Sequence, residues 1–464
     1  MGQRKQEGNL VKEESIAEKL VSLIGEIEYE KLPPKIIKKV KLCILDLFGS
    51  HFAGHDLESC KPVKAYISSL RAAEQATVWS MGRHTSFIEA AFANSAISHI
   101  AVFDDMHART ASHYGSMIIP AGLAVGEHLK CSGKDLILAI VCGYEAAIRI
   151  GSAMATSQFM QSGFRPSGTF GSFGSAISAG KLLGLNSKEM ANALGLAGNF
   201  GVGLMAFAKE GTDDLMYHNS LASRNGILSA ELAKYGAGAP RYIFEIEGGV
   251  FKAYSGRIEP LERIYEKGND RYKIEEVYFK SVPACAYVQS AAMAALEIAQ
   301  KGDFSIDEIK SIEVRIFPFG KHYPGLDYCG PFQGIMQAQM SNPFTIASIL
   351  IRKGVRFQDF VNFQDPSVQS LAGKIQIIED PEAASRWPEE QLARVEVYLK
   401  NGSTRKAISR NPHFLEDEEV VEKCRFYLGQ VLDASSCNQF IETVHSIENL
   451  DNVNQLTQVL SKRA

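Results

Sequence analysis

No two of the eight cysteines, Cys43, Cys60, Cys131, Cys142, Cys285, Cys329, Cys424 and Cys437, stand in a CxxC pair. Zinc ribbons and iron–sulfur loops therefore lack their sequence signal. No basic excess is present either. The net charge is −4, which argues against a dedicated nucleic-acid binder. The cationic cluster "PPKIIKKVK" (Pro33 to Lys41) reads as the solvated face of an amphipathic helix. The start, "MGQRKQEGNLVKEES", is polar and charged and resembles no secretory signal. It also misses the myristoylation pattern, because residue 6 is Gln. Free thiols without an export signal predict a cytoplasmic protein, so "NGS" at Asn401 reads as a turn. The uncharged run Ala191 to Ala208 raises the question of a membrane span. Its asparagines and glycines favour a buried helix or helix-turn, so no membrane partner is expected.

What is present is ample for a large core: 464 residues, 45% of them hydrophobic. The first 265 or so read as helices. "LPPKIIKKVKLCILDLFGSHFAG" has prolines at its start and a glycine stop at Gly54. Ser132 with Asp135, and Asn186 with Glu189, form capping-box patterns. Near Gly268 the texture changes. "IKSIEVRIFPF", "GKIQIIEDP" and "ARVEVYLKNG" read as strands, and "NPFTIASILIRKGV" between them as a helix. From about Asp417 the pattern is helical again.

The stretch "HIAVFDDMHARTASHYGS", His99 to Ser116, concentrates histidine and aspartate. Asp104, Asp105, His107 and His113 could bind a metal, perform acid–base chemistry, or cap helices in a polar loop. No HExxH spacing decides among these. "GTFGSFGSAISAGKLLG" fails as a phosphate loop, since five residues separate Gly174 from Gly180 and Leu follows Lys181. Its small residues suit close helix packing. Arg165 precedes a proline that opens a helix, a natural carboxylate or phosphate cradle. A lone His218 inside a helical run, and Cys285 near Lys280 and Pro283, have structural readings by default.

Taken in order, these stretches resemble the MmgE/PrpD family, which includes 2-methylcitrate dehydratases, cis-aconitate decarboxylases and iminodisuccinate epimerases. "HIAVFDDMHARTASHYGS" is similar to the family's "HALDFDDTH…HPG", and "GFRPSGTFGSFGSA" to "GFHPTATLG". "YHNSLASRNGILSAELAKYG", "AQMSNPFTIASIL" and "ENLDNVNQLTQVL" also fit, so the likeness covers nearly the whole chain. The resemblance implies a mainly α fold: a large all-helical domain built from both chain ends (1–267 and 405–464) plus a smaller α+β lid domain (268–404). It further implies a homodimer, a site between the domains, and no metal or other cofactor.

The implied activity is that of a cofactor-independent lyase or isomerase acting next to a carboxylate of a small organic acid. By that resemblance, His113 and His218 are the proton-transfer candidates, with Asp105 orienting one of them. Arg165 and Lys280 would hold the substrate's carboxylate, with His107, Asp104 and Cys285 also lining the site. 2-Methylcitrate dehydration is the named reaction that the family favours. Several family positions differ here. An Asp is replaced by Val102, a His by Arg165 and a Lys by Leu215. Some members have His at Cys285; others follow that Cys with Arg and later His, here Ala286 and Gln289. Leu215 cannot replace an ammonium group, and Arg165 cannot shuttle protons at neutral pH. The alternative expectation is a catalytically silent paralogue that binds a metabolite or partner protein.

Overall fold

The computed structural model describes residues 14–256, 262–265 and 272–461. Residues 1–13 of the N-terminal stretch and the expected boundary at 267/268 lie outside them. The fold is mainly α. Helix α1 (Pro34–Gly54) opens on proline at its first position and ends at Gly54, burying Ile36, Val40, Phe48 and Phe52. Two of its lysines face outward as expected, Lys35 pairing with Glu275 and Lys38 with Asp417, while Lys39 and Lys41 are half-buried, Lys39 donating to the Val277 carbonyl.

Four further helices form the core with α2 (Phe87–His99), whose N-cap is Ser86 and whose last residue is His99. Helix α3 (Gly115–Leu129) follows, then α4 (Gly133–Met154), which starts at the expected Ser132–Asp135 capping box. Helix α4, rather than the 191–208 run, is long and apolar enough to cross a bilayer. It is instead almost wholly buried against its neighbours, as a core helix is. Helix α5 (Pro166–Leu182) carries the glycine-rich stretch, and α6 (Leu215–Lys234) packs across it. A Cβ at Gly174 would sit 2.8 Å from the Gly143 carbonyl oxygen of α4. The small residues thus permit helix-on-helix approach. The run Ala191–Ala208 begins inside a capped helix, Ser187–Ala197, then breaks into a turn.

The smaller part is built on a four-stranded sheet: β1 (Ile309–Ile316), β2 (Ile375–Glu379), β3 (Ala393–Leu399) and β4 (Thr404–Ser409), in the order β2-β1-β3-β4. The β1–β2 pair is parallel and the others antiparallel. Alternation is clean on β3, where Ala393, Val395, Val397 and Leu399 are buried. The turn at Asn401–Gly402 leads into β4, so the sheet continues past residue 404, to Ser409. Helix α7 (Gln289–Lys301) covers β3 and β4 and packs on α8 (Asn342–Arg352), the helix expected between the strands.

The chain then returns to the first helices. Helix α9 (Asp417–Leu428) lies along α1, where Gly49 faces Cys424, and Lys423 pairs with Asp46 at 2.7 Å in full burial.

Candidate active site

The polar centre lies where the C-terminal end of α2, the loop after it, and the N-terminal ends of α3, α5 and α6 meet. Asp104 is wholly buried in that loop. His99 holds it from α2, with Nδ1 at 3.0 and 3.1 Å from the two carboxylate oxygens. His113 approaches from the other side, its Nδ1 3.3 Å from Asp104 Oδ1. The two imidazoles meet edge to face at 4.8 Å.

Arg165 completes the row. Its guanidinium donates to His99 Nε2 at 2.7 Å, to Asn219 Oδ1 at 2.6 Å and to the Leu215 carbonyl at 3.2 Å. A guanidinium can only donate, so His99 Nε2 must accept. His99 is therefore the neutral tautomer with its proton on Nδ1, facing Asp104. Burial accordingly pushes the His99 imidazole down to about 3, with Asp104 pulling it back and Arg165 adding to the fall. Burial also opposes the Asp104 charge, but the two histidines outweigh it and hold the carboxyl well below its usual range. Burial lowers His113 as well, against the pull of Asp104. Among the described residues, nothing hydrogen-bonds His113 Nε2.

Lys280 enters from the segment leading into the smaller part. Its ammonium is fully buried and donates to the carbonyls of Val102 and, at 3.3 Å, Ala284. Burial pulls it down to about 8, with Asp104 and Cys285 opposing. Lys423 donates to the adjacent Phe103 carbonyl at 2.5 Å. Two buried lysines thus grip successive peptides of the loop, at a point where Val102 has φ +50°.

The other expected residues are placed as follows. His218 lies across Phe207 from Arg165: the ring centroid is 5.3 Å from the guanidinium and 5.8 Å from the imidazole. Burial, then Arg165, push His218 down to about 4, and its Nε2 faces Asp214 at 3.4 Å. Cys285 is buried, which pushes its thiol up; its backbone N–H donates to the Gln339 carbonyl at 2.9 Å.

Two placements correct the sequence reading. Asp105 does not orient a histidine. It accepts from the Gly115 N–H at 2.8 Å and the Tyr144 hydroxyl at 2.6 Å, and burial pushes it up to about 7. Asp104 holds His99 instead, and its Oδ1 lies 3.3 Å from His113 Nδ1. His107 has both ring nitrogens engaged, with Thr110 at 2.8 Å and Glu276 at 3.0 Å. Its short strand, Met106–His107, pairs with Val277–Tyr278, so it braces the loop to the segment before Lys280.

Three contributors escaped the sequence reading. His99 opens the very stretch singled out and aligns with the first His of "HALDFDDTH", a signal that could have found it. Asn219, next to His218, gave no separate signal. Tyr323 comes from the smaller part, where its hydroxyl donates to Met205 Sδ at 3.6 Å and its phenol lies near Arg165.

His99, Asp104 and His113 could in principle surround a metal, since one ligand atom from each lies within 4.8 Å of the others. The hydrogen bonds argue otherwise. His99 Nδ1 carries a proton and its Nε2 is taken by a cation, and Lys280 adds a second positive charge. Both His99 nitrogens are thus already engaged, which leaves that ring no lone pair for a metal.

Comparison with known proteins agrees in direction. The description MmgE/PrpD N-terminal domain matches residues 18–261, and MmgE/PrpD C-terminal domain matches 282–449. A cis-aconitate decarboxylase of Homo sapiens is 27% identical, covering 96% of this chain and 94% of its own. One from Aspergillus terreus is 25% identical over 93% of each chain, and one from Mus musculus 26% over 96% and 93%. With both domain models matched in order over most of its length, the chain belongs to the MmgE/PrpD family.

Proposed function

We propose that the protein is a cofactor-independent lyase acting next to a carboxylate of a small organic acid, by decarboxylation or dehydration. The observation that carries this reading is the open Nε2 of His113. It is backed by the Asp104 carboxylate and sits in a centre that holds the cations Arg165 and Lys280. A base so placed can remove or return a proton on carbon. The fixed cations suit the enediolate charge that develops beside the carboxylate.

Arg165 has five N–H donors and spends three on its neighbours. Two remain, enough for both oxygens of one carboxylate. Asp104 acts as a positioning group for His113, and His99 and Asn219 as positioning groups for Arg165. His218 stands second in line for proton transfer. In decarboxylation, the bond to the departing carboxylate breaks, carbon dioxide leaves, and protonated His113 returns a proton to the carbanion. In dehydration, His113 takes the proton from carbon and returns it to the leaving hydroxyl, which departs as water. The family's homodimer and a cytoplasmic setting belong to the same proposal.

A second reading, a silent paralogue that binds its acid unchanged, is favoured by Leu215. This apolar side chain stands where the family resemblance implies a lysine, and its carbonyl accepts from Arg165.

Proton NMR in deuterium oxide with cis-aconitate, 2-methylcitrate, citrate and related acids tests both. Loss of a carbon-bound proton signal, abolished by His113→Ala, supports the lyase. Binding without exchange or turnover supports the silent paralogue. Turnover unchanged in His113→Ala sinks the proposed base.

A further inference from the structure

The segment Gly163–Arg165 is clasped to Gly203–Met205. Arg165 N–H donates to the Gly203 carbonyl, Met205 N–H donates to that of Gly163, and Phe164 bridges to Leu204. Arg165 turns from this clasp toward His99. Phe164 and Met205 instead line a cavity of about 370 Å³ between the helical part and the smaller part, a volume typical of small-molecule sites. The helical wall is Met160, Gln161, Phe164, Pro166 and Met205; the opposite wall is Pro318, Phe319, His322, Tyr323 and Pro324. That second wall is stiff. Tyr323 packs edge-on against Tyr287 at 5.1 Å, and Phe319 lies on Trp387 at 5.8 Å. Among the described residues no lysine or arginine lines the cavity, and its His322 is paired outward to Glu379 at 2.8 Å. The chamber adjoins the centre through the chain itself: Gly163, Phe164 and Pro166, which flank Arg165, line it, and the Tyr323 hydroxyl donates to Met205 Sδ at 3.6 Å from the opposite wall.

The charge available next door is limited. Two N–H donors remain on Arg165. Lys280 has three and spends two on carbonyls, leaving one. Asp104 is anionic beside them. Such a centre suits one or two carboxylates, and three would lack cations.

We propose that the substrate is a mono- or dicarboxylate bearing an apolar substituent, with the substituent seated in the chamber between Met160–Pro166 and Pro318–Pro324. This inference rests on the reading of the Arg165–His113 centre as a carboxylate site and adds the substrate class. Shape and polarity select the acid: the head meets Arg165, and the tail replaces water against Phe164, Met205 and Phe319.

Isothermal titration calorimetry on the full chain, with alkyl-substituted malonates and succinates from methyl to hexyl, tests it. Citrate and cis-aconitate provide the comparison. Affinity is expected to rise about three- to fourfold per added methylene until the chamber is full, and the butyl members should bind more tightly than either tricarboxylate. Phe319→Ser, at a partly exposed position, should flatten the series. A flat series in which the short acids still bind overturns the inference and leaves the head-group reading standing. A rise that survives Phe319→Ser and Met160→Gln overturns it too, because the tail then lies elsewhere. Failure of every acid to bind a protein that still melts cooperatively overturns the underlying reading, and the inference with it.

Discussion

Arg165 donates to His99 Nε2 across 2.7 Å, and this one bond fixes the protonation of both neighbours. The guanidinium cannot accept, so the imidazole must; its only proton then points at Asp104. A cation, a neutral ring and a carboxylate lie in sequence, and His113 reads the far end.

Arg165→Lys should behave as a severe change. An ammonium cannot reach His99, Asn219 and the Leu215 carbonyl together while offering two parallel donors to a carboxylate. Loss of a buried charge pair with the substrate corresponds to about 2–5 kcal/mol, so kcat/KM should fall by roughly 30-fold or more, mostly through KM. Steady-state kinetics on the substrate found by NMR would check this; a change under about threefold would remove Arg165 from the carboxylate site.

Asp104→Asn and Asp105→Asn should separate cleanly. An amide at 105 can accept from the Gly115 N–H and donate to the Tyr144 oxygen, so fold and turnover should stay within a few-fold of the parent. At 104 the amide removes the charge that orients His113, and turnover should drop by about 100-fold. Melting curves and deuterium exchange on both variants measure the contrast.

The pH profile follows from two depressed groups. For dehydration His113 must be neutral to act as a base, and burial lowers its pKa below 6.5. The rate should then climb through a pKa under 6.5, whereas decarboxylation, which draws on protonated His113, should slow as pH rises through it. Lys280 must be protonated to hold an anion, and its pKa lies at about 8. The rate should fall as pH rises past that value. For dehydration a kcat/KM profile that peaks between these limits is expected, and for either reaction Lys280→Met should remove the alkaline limb along with most of the activity.

Lys423→Met should destabilise the fold strongly. It strands the Asp46 carboxylate, which has one oxygen already unpartnered, in full burial. Breaking such a pair from one side costs about 3–5 kcal/mol. The double variant Lys423→Met, Asp46→Leu should recover part of that. Denaturant titrations of the single and double variants would show it.

Much of this architecture was legible in the chain. Prolines and Gly54 bound α1 and Ser132 starts α4, because caps and breakers act locally. β3 showed its alternation because one of its faces packs on α7. What local pattern could not show was direction. Asp104 and Asp105 are neighbours with equal chemistry, and only the packing of Tyr144 and α3 decides which one turns to the histidines. His107 and His113 looked alike until Glu276, far along the chain, claimed one of them. Tyr323 and Lys280 reach the centre from the other side of the fold, and no spacing records that.

The peptides of Val102 and Phe103 are clamped by ammonium groups 178 and 320 positions further along the chain. A ribosome that has released every residue up to Lys280 has made His99, Asp104, His113 and Arg165, yet the second clamp has still to be translated. The centre is thus timed to the end of synthesis, and a chain severed ahead of α9 would keep His99 and Arg165 at their helix ends but carry Asp104 on a loop that has lost one of its two lysine anchors.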